Sequence, residues 1–179
     1  ADAISLWAER LPETGSETLF YSNVAPLDHM PPALREELEA YHVFCAHDLA
    51  RMQPDARLVD EGRTDPAAPS QSHVWPMIRR HPPKPGVDAL TCTLQQTERI
   101  VELSDEATGD AASRAVLRRI FDDHLYVEAN RYTHEWQPHD LVVWDNVALQ
   151  HGREACPRAV GPRVLLSLIH ISEPTRPIA

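Results

Sequence analysis

The chain has 179 residues, of which 42% are hydrophobic and 25% are charged, and its formal net charge is -10. This size and composition are ordinary for one soluble globular domain with a buried core. The acidic balance argues against a nucleic-acid or anionic-membrane surface, which would need a basic patch, and leaves a small-molecule substrate open.

Cysteine content and hydropathy bear on the setting of the protein. The three cysteines, Cys45, Cys92 and Cys156, are far apart and form no Cys-x-x-Cys pair, which argues against a zinc knuckle or a redox dithiol. No apolar run reaches the length of about 18 residues that a membrane helix needs, and no signal peptide is visible. We therefore expect a reduced, cytoplasmic protein with no membrane span. The oligomeric state, a homo-oligomer included, is left open.

The first half of the chain mixes strands with one helix. Residues 3–10 and 19–21 predict strands on either side of a proline- and glycine-containing turn. Two prolines then open a helix whose apolar residues recur at three- and four-residue spacing: Leu34, Leu38, Tyr41, Cys45 and Leu49. Residues 51–72, rich in proline and charge, predict a long surface loop.

Short strands dominate the rest. Strands are predicted at 74–80, 89–94, 130–136, 140–144 and from Val164 onward. One more helix is predicted over 110–124, with Val116, Leu117, Ile120 and Phe121 facing inward. Short strands with helices in only two places indicate a mainly β protein with helices (α+β), as an antiparallel sandwich or jelly roll, rather than a βαβ sheet.

The segment 136–151 is the strongest candidate for chemistry. An apolar strand there runs into a tight Asp-Asn turn, and His151 follows on what can be a rigid scaffold for a metal ligand. Trp144-Asp145-Asn146 followed by His151 resembles the C-terminal signature of the taurine dioxygenase (TauD/TfdA) family of Fe(II)- and 2-oxoglutarate-dependent dioxygenases. The phrases LPETGSET at 11–18, PPALR at 31–35 and RHP at 80–82 also match, so the resemblance extends over residues 1 to about 166.

The resemblance implies a fold, a reaction and three site residues. The fold is a double-stranded β-helix (jelly roll), incomplete in this chain. His151 would bind Fe(II), Arg163 would pair with the distal carboxylate of 2-oxoglutarate, and Thr18 would add a hydroxyl hydrogen bond to that cosubstrate. The reaction would consume O2, convert 2-oxoglutarate to succinate and CO2, and hydroxylate a small organic acid.

Each of these residues also has an ordinary interpretation. A lone histidine is more often a satisfied surface or core residue than a ligand. Arg153 and Arg158 compete with Arg163 for the carboxylate, and Thr18 can simply serve a turn. His47, His134 and His139 are expected to be solvated surface residues.

Two of the three iron ligands that the family uses are not found. They come from a His-x-Asp motif, and none of the ten histidines has Asp or Glu two residues later. In the family this motif lies shortly before the phrase at 11–18, which would place it upstream of Ala1. We therefore expect an N-terminally truncated chain that is inactive as it stands, because a facial triad needs three protein ligands. Val147 also departs from the family pattern, which has arginine after Asp-Asn.

The C-terminal residues have a different character. From Ser167 the sequence SLIHISEPTRP resembles a translated sequencing-library adapter. We expect a dioxygenase domain at 1–166 and a non-native tail at 167–179; the alternative is a natural strand with a polar tail. For the function, two alternatives also stay open: a non-catalytic jelly-roll binding module that lacks the iron site, and a cupin-like metal enzyme or metal hydrolase with other ligands.

Overall fold

The computed structural model describes residues 3–12, 14–46, 72–81, 84–105, 110–153 and 161–170. The helices are α1 (Ala25–His29), α2 (Pro32–Glu39) and α3 (Ala111–Ile120). The strands are β1 (Ala3–Arg10), β2 (Thr18–Ser22), β3 (His42–Ala46), β4 (Ser72–Pro76), β5 (Ile78–Arg80), β6 (Asp88–Leu90), β7 (Thr97–Ile100), β8 (Arg131–His134), β9 (Leu141–Asp145), β10 (Leu149–Arg153) and β11 (Val164–His170). Among the described helices, none has the length and hydropathy needed to cross a membrane.

The chain divides into two compact units, and the first contains the two ends of the sequence, Ala1–Asn23 and Glu128–Ala179. It holds two three-stranded sheets with the strand orders β11-β1-β9 and β10-β2-β8, antiparallel throughout. The hairpin from β9 to β10 passes from one sheet to the other. Trp144 of β9 packs edge-on against Phe20 of β2, with 5.2 Å between the ring centroids, so the inner faces of the two sheets meet there.

Strand register decides which side chains of this unit share the inner face. In the second sheet His151 lies opposite Phe20, and Arg153 lies opposite Thr18. Cross-strand partners point to the same side of a sheet, and so do residues two apart on one strand. Thr18, Phe20, His151 and Arg153 are therefore on one face, the face that Phe20 presents to Trp144.

The second unit, Val24–Val127, carries the larger apolar core. Its sheet has the order β4-β3-β7, and β5 and β6 form a separate hairpin. Helix α3 continues into a π-helical turn at Phe121–Leu125. The core buries side chains from α1, α2, β3, β6, β7, α3 and that turn: Leu27, Leu34, Leu38, Val43, Leu90, Ile100, Leu117, Ile120, Phe121 and Leu125.

The predicted mainly β fold with helices is confirmed, as are the strand at 3–10, the short strand at 19–21 (here Thr18–Ser22) and the helix at 110–124 with its inward face. The helix predicted through Leu49 is wrong beyond Glu39, because His42–Ala46 is a strand that pairs with β4 and β7. Val43 and Phe44 favour a strand, being β-branched and aromatic. The predicted helical spacing of apolar residues is confirmed up to Leu38. Leu49 lies outside the described residues.

Other predicted boundaries shift. The strand at 74–80 is two strands separated at Met77, and the strand at 89–94 ends at Leu90. Strand β10, which carries His151, was not predicted as a strand. Of the predicted loop at 51–72 only Ser72 is described. Strand β11 continues past Leu166 and pairs as far as His170 with Ala3, while 171–179 of the expected tail lie outside the described residues.

Candidate functional site

The turn between β9 and β10 is organised by the carboxylate of Asp145. Its Oδ1 accepts hydrogen bonds from the backbone N–H groups of Val147 and Ala148, both at 3.0 Å. An aspartate that accepts from the backbone two and three residues later makes a compact turn and suits this position. Asp145 therefore has a structural role in the Trp-Asp-Asn motif, because the turn that it holds starts strand β10.

A second group of bonds ties this turn to the end of β2. Asn23, 5% exposed, donates from Nδ2 to the carbonyl of Val147 at 2.9 Å and accepts at Oδ1 from Gln150 Nε2 at 2.6 Å. Its backbone N–H donates to the carbonyl of Ala148 at 2.7 Å. Asn23 is not marked by any local sequence pattern, because its partners lie more than a hundred residues away. Its bonds keep β10 in register with β2.

His151 lies in the middle of β10, beside an aromatic pair. Its ring is 4.8 Å from that of Trp144, centroid to centroid, at an interplanar angle of 57°. The residue as a whole is exposed, yet the surrounding protein removes enough water that desolvation lowers the pKa of its imidazole from the ordinary 6.5. Burial acts this way because it disfavours the charged form of a base. This shift of the pKa favours the neutral imidazole, which is the form that coordinates metals.

Thr18 and Arg163 are in direct contact, although 145 residues separate them. Nη2 of Arg163 donates to Oγ1 of Thr18 at 2.9 Å, and Nε of the same guanidinium donates to the carbonyl of Ser16 at 3.2 Å. Thr18 is 2% exposed. Trp136, which the sequence analysis placed in the motif without assigning it a role, donates from Nε1 to the same Thr18 oxygen at 2.9 Å.

The structure also bears on the competing arginines. Arg153 lies opposite Thr18 in the strand register and is exposed, while Arg158 is outside the described residues. It is Arg163 whose guanidinium is bonded to the threonine hydroxyl. The assignment of the carboxylate-binding role to Arg163 and Thr18 stays a prediction, but these two residues lie together. In the second sheet His151 pairs with Phe20, which is two residues from Thr18, a rise of about 7 Å along the strand.

The other histidines differ from one another. His139 is exposed and stacks on Trp7, as expected for a surface residue. The side chain of His134, however, is only 18% exposed and packs against Trp136 at 4.6 Å between ring centroids. Its predicted solvated position is therefore wrong, because the edge strand β8 turns it onto the indole. His47 is outside the described residues.

The side chains that could hold the family's metal are incomplete here. Within the described ranges, no group of three or more His, Cys, Asp or Glu side chains is arranged to bind a metal ion. His151 supplies one imidazole, which does not fit the three-ligand requirement of Fe(II) in this family. The cosubstrate fits better, since an arginine fork next to a buried hydroxyl is a carboxylate-binding arrangement.

A cavity of about 450 Å³ opens beside the same aromatic pair. Phe20 and Trp144 line it, together with Leu149 of β10, Tyr132 of β8 and Val142 of β9, so most of its wall is apolar. These residues belong to the first unit. In the register of β2, Ser22 at this cavity and Thr18 at the arginine lie on either side of Phe20.

Known proteins resemble this chain over most of its length. The family described as "Taurine catabolism dioxygenase TauD, TfdA family" matches residues 1–168. Pentalenolactone F synthase from Streptomyces arenae is 30% identical over 152 residues, which are 79% of this chain and 47% of that protein. The alpha-ketoglutarate-dependent sulfonate dioxygenase of Saccharomyces cerevisiae is 26% identical over 143 residues, 78% of this chain and 31% of that protein. The chain thus spans half or less of the length of these curated relatives.

Solved structures share the fold. A Burkholderia xenovorans protein assigned as an alpha-ketoglutarate dependent 2,4-D dioxygenase superposes with a TM-score of 0.76 and 24% identity, covering 93% of this chain and 60% of that one. A structure of AAD-2 in complex with Mn(II) and N-oxalylglycine superposes with a TM-score of 0.72 and 21% identity, covering 93% and 61%. The two facing sheets of the first unit are thus part of a double-stranded β-helix (jelly roll), as predicted. On its match along nearly the whole sequence, the chain belongs to the taurine catabolism dioxygenase TauD, TfdA family.

Proposed function

We propose that this chain is the cosubstrate-binding portion of an Fe(II)- and 2-oxoglutarate-dependent dioxygenase that hydroxylates a small organic acid. The observation that carries the proposal is the bond between Arg163 and Thr18 on the face that also bears His151. In this assignment Arg163 and Thr18 hold the distal carboxylate of 2-oxoglutarate, and His151 is a metal ligand.

The relatives support the same chemistry. Two of them are named as oxygenases that depend on alpha-ketoglutarate, which is 2-oxoglutarate. A third was solved with N-oxalylglycine, which carries two carboxylates at the spacing found in 2-oxoglutarate, and with Mn(II), a divalent ion that prefers similar oxygen and nitrogen ligands to Fe(II). These names describe those proteins, and we extend them to this chain because the family is shared.

The residues present can bind and orient the cosubstrate. The Arg163 guanidinium keeps its charge when partly desolvated, and its planar fork matches a carboxylate. Its bonds to Ser16 and Thr18, both among the described residues, fix the plane of the fork. Phe20 and Trp144, 4% and 5% exposed, exclude water from the adjoining interior, which strengthens the attraction between the guanidinium and an anion.

The described residues alone cannot hold the metal. When bound in enzymes of this family, Fe(II) supplies the oxidative chemistry that couples 2-oxoglutarate decarboxylation to hydroxylation. With His151 as one ligand and no His-x-Asp or His-x-Glu among the ten histidines, we expect this chain by itself to release no succinate. A second candidate, a jelly-roll module that binds a carboxylate ligand without catalysis, is favoured by the same lack of a three-ligand group in the described ranges.

Succinate formation distinguishes the dioxygenase from the non-catalytic binding module. The longest protein product of the source locus that contains this chain would be incubated with Fe(II), ascorbate, O2 and a panel of small organic acids, and the 179-residue chain would be treated in parallel. We expect succinate from the longer product and none from the chain, with Arg163→Met raising the KM for 2-oxoglutarate on the order of ten- to a hundredfold. Arg153→Met is the matched control, with a small effect on that KM. No 2-oxoglutarate-dependent succinate from the longer product would favour the binding module.

A further inference from the structure

Trp136 donates a hydrogen bond to Thr18, one of the two residues proposed to bind the cosubstrate. The position of Trp136 in the sequence does not predict this bond. The residue is 8% exposed and lies between β8 and the turn that leads into β9. Its indole Nε1 donates to Oγ1 of Thr18 at 2.9 Å across 118 residues of sequence, and both side chains are buried. A buried indole N–H needs an acceptor, but a backbone carbonyl would serve that need equally well.

Because the indole of Trp136 donates to Oγ1 of Thr18, the direction of the Thr18 O–H bond is restricted. A threonine oxygen has two lone pairs and one hydrogen. The side chains of Trp136 and Arg163 can only donate hydrogen bonds and cannot accept them. With Nε1 of Trp136 and Nη2 of Arg163 each at 2.9 Å, both lone pairs of Thr18 Oγ1 are occupied. In the part of the chain that the structure describes, no group accepts the remaining proton, and Thr18 is too buried, at 2% exposed, for bulk water to do so freely.

We propose that Trp136 is a positioning residue, which fixes the Thr18 hydroxyl as a hydrogen-bond donor to the distal carboxylate of 2-oxoglutarate. This inference rests on the proposed function. A carboxylate only accepts hydrogen bonds, so a hydroxyl whose lone pairs are already taken is oriented for it before binding. Without the indole N–H, one lone pair is released and the hydroxyl can rotate among several orientations.

The expected effect is on the affinity for the cosubstrate. Losing the orientation of one neutral hydrogen bond corresponds to about a three- to tenfold weaker Kd for 2-oxoglutarate in Trp136→Phe. Thr18→Val should weaken the Kd at least as much, and Thr18→Ser, which keeps the hydroxyl, should restore most of the affinity. Trp7→Phe is the matched ring-size control, since Trp7 is half-buried in the same unit and stacks on His139.

The measurement is a titration of the 179-residue chain with 2-oxoglutarate, followed by the ¹H–¹⁵N NMR signals of the backbone and the indole groups. If Trp136 acts through the hydroxyl, Trp136→Phe adds no further loss in the Thr18→Val background. An equal, additive loss in both backgrounds would overturn the inference, because it would place the effect of Trp136 in packing. In the unaltered chain the indole signal of Trp136 should shift on saturation with 2-oxoglutarate, and this shift should vanish in Thr18→Val; an indole signal that does not respond would also overturn it.

Arg163→Met separates this inference from the proposed function. Weakened binding in Arg163→Met with an unchanged Kd in Trp136→Phe would refute the role of Trp136 and leave the cosubstrate assignment intact. Binding that is absent in the unaltered chain, or that is as tight in Arg163→Met as in the unaltered chain, would refute the cosubstrate assignment and the inference together.

Discussion

Replacing Asp145 tests whether the Trp-Asp-Asn motif acts by building the turn that presents His151. In Asp145→Ala the N–H groups of Val147 and Ala148 lose the oxygen to which both donate at 3.0 Å. A hydrogen bond to a charged group contributes about 1.5–3 kcal/mol, and for two bonds at a half-buried turn that water can reach we expect a total loss of about 2–3 kcal/mol. Asp145→Asn keeps an acceptor oxygen without the charge and should lose about 1 kcal/mol.

The assay is urea unfolding followed by tryptophan fluorescence, with the free energy of unfolding extrapolated to water. Asp122→Ala is the control, because Asp122 is an exposed aspartate at a helical position, where a surface substitution changes stability by about 0.5 kcal/mol or less. The His151 ring signals should also broaden or shift in Asp145→Ala. A variant as stable as Asp122→Ala, with unchanged His151 signals, would refute the turn-building role.

Three further predictions concern single side chains and the C-terminal residues. Since desolvation lowers the pKa of His151 in the folded state below 6.5, the unfolded chain binds the proton more readily. The free energy of unfolding should therefore fall as the pH falls below about 6.5, and His151→Gln should flatten that slope; an NMR titration that gives a pKa at or above 6.5 would contradict this. Burial raises the pKa of the Cys92 thiol to about 12, so peptide mapping after iodoacetamide at pH 8 should find Cys92 unmodified in the folded chain and modified in urea, whereas labelling at equal rates would refute its burial. We propose that residues from about Ser167 onward are adapter-derived, and sequencing the source locus with independent primers should give a different C-terminal sequence; an in-frame genomic SLIHISEP would disprove this.

The fold was predictable where a local pattern decided the structure. The strand Ala3–Arg10 and helix α3 follow from alternation and from apolar spacing along one face. The series of apolar residues that predicted one long helix instead belongs to a helix and the start of a strand. Leu38 and Val43 are buried in the same core but lie on different elements. Sequence spacing cannot distinguish these cases, since the pairing of β3 with β4 and β7 is a long-range property.

The site was predictable as a set of residues and less so as a set of contacts. The resemblance singled out His151, Arg163 and Thr18. The strand register places Thr18 and His151 on the inner face of one sheet, and one hydrogen bond joins Arg163 to Thr18. The roles of Asn23 and Trp136 were not predicted, because each forms hydrogen bonds with partners more than a hundred residues away. Their roles depend on which atoms the two sheets bring together, and no local pattern encodes that.

The central claim is that Arg163 and Thr18 form a carboxylate site for 2-oxoglutarate, and binding to the chain itself tests it most directly. In an NMR titration with 2-oxoglutarate, the Arg163 Nε–H signal and the Thr18 methyl signal should move together and saturate. Arg163→Met should weaken the binding about ten- to a hundredfold, while Arg153→Met largely preserves it. Saturable binding that leaves those two signals unmoved, or that is as tight in Arg163→Met as in the unaltered chain, would contradict the account.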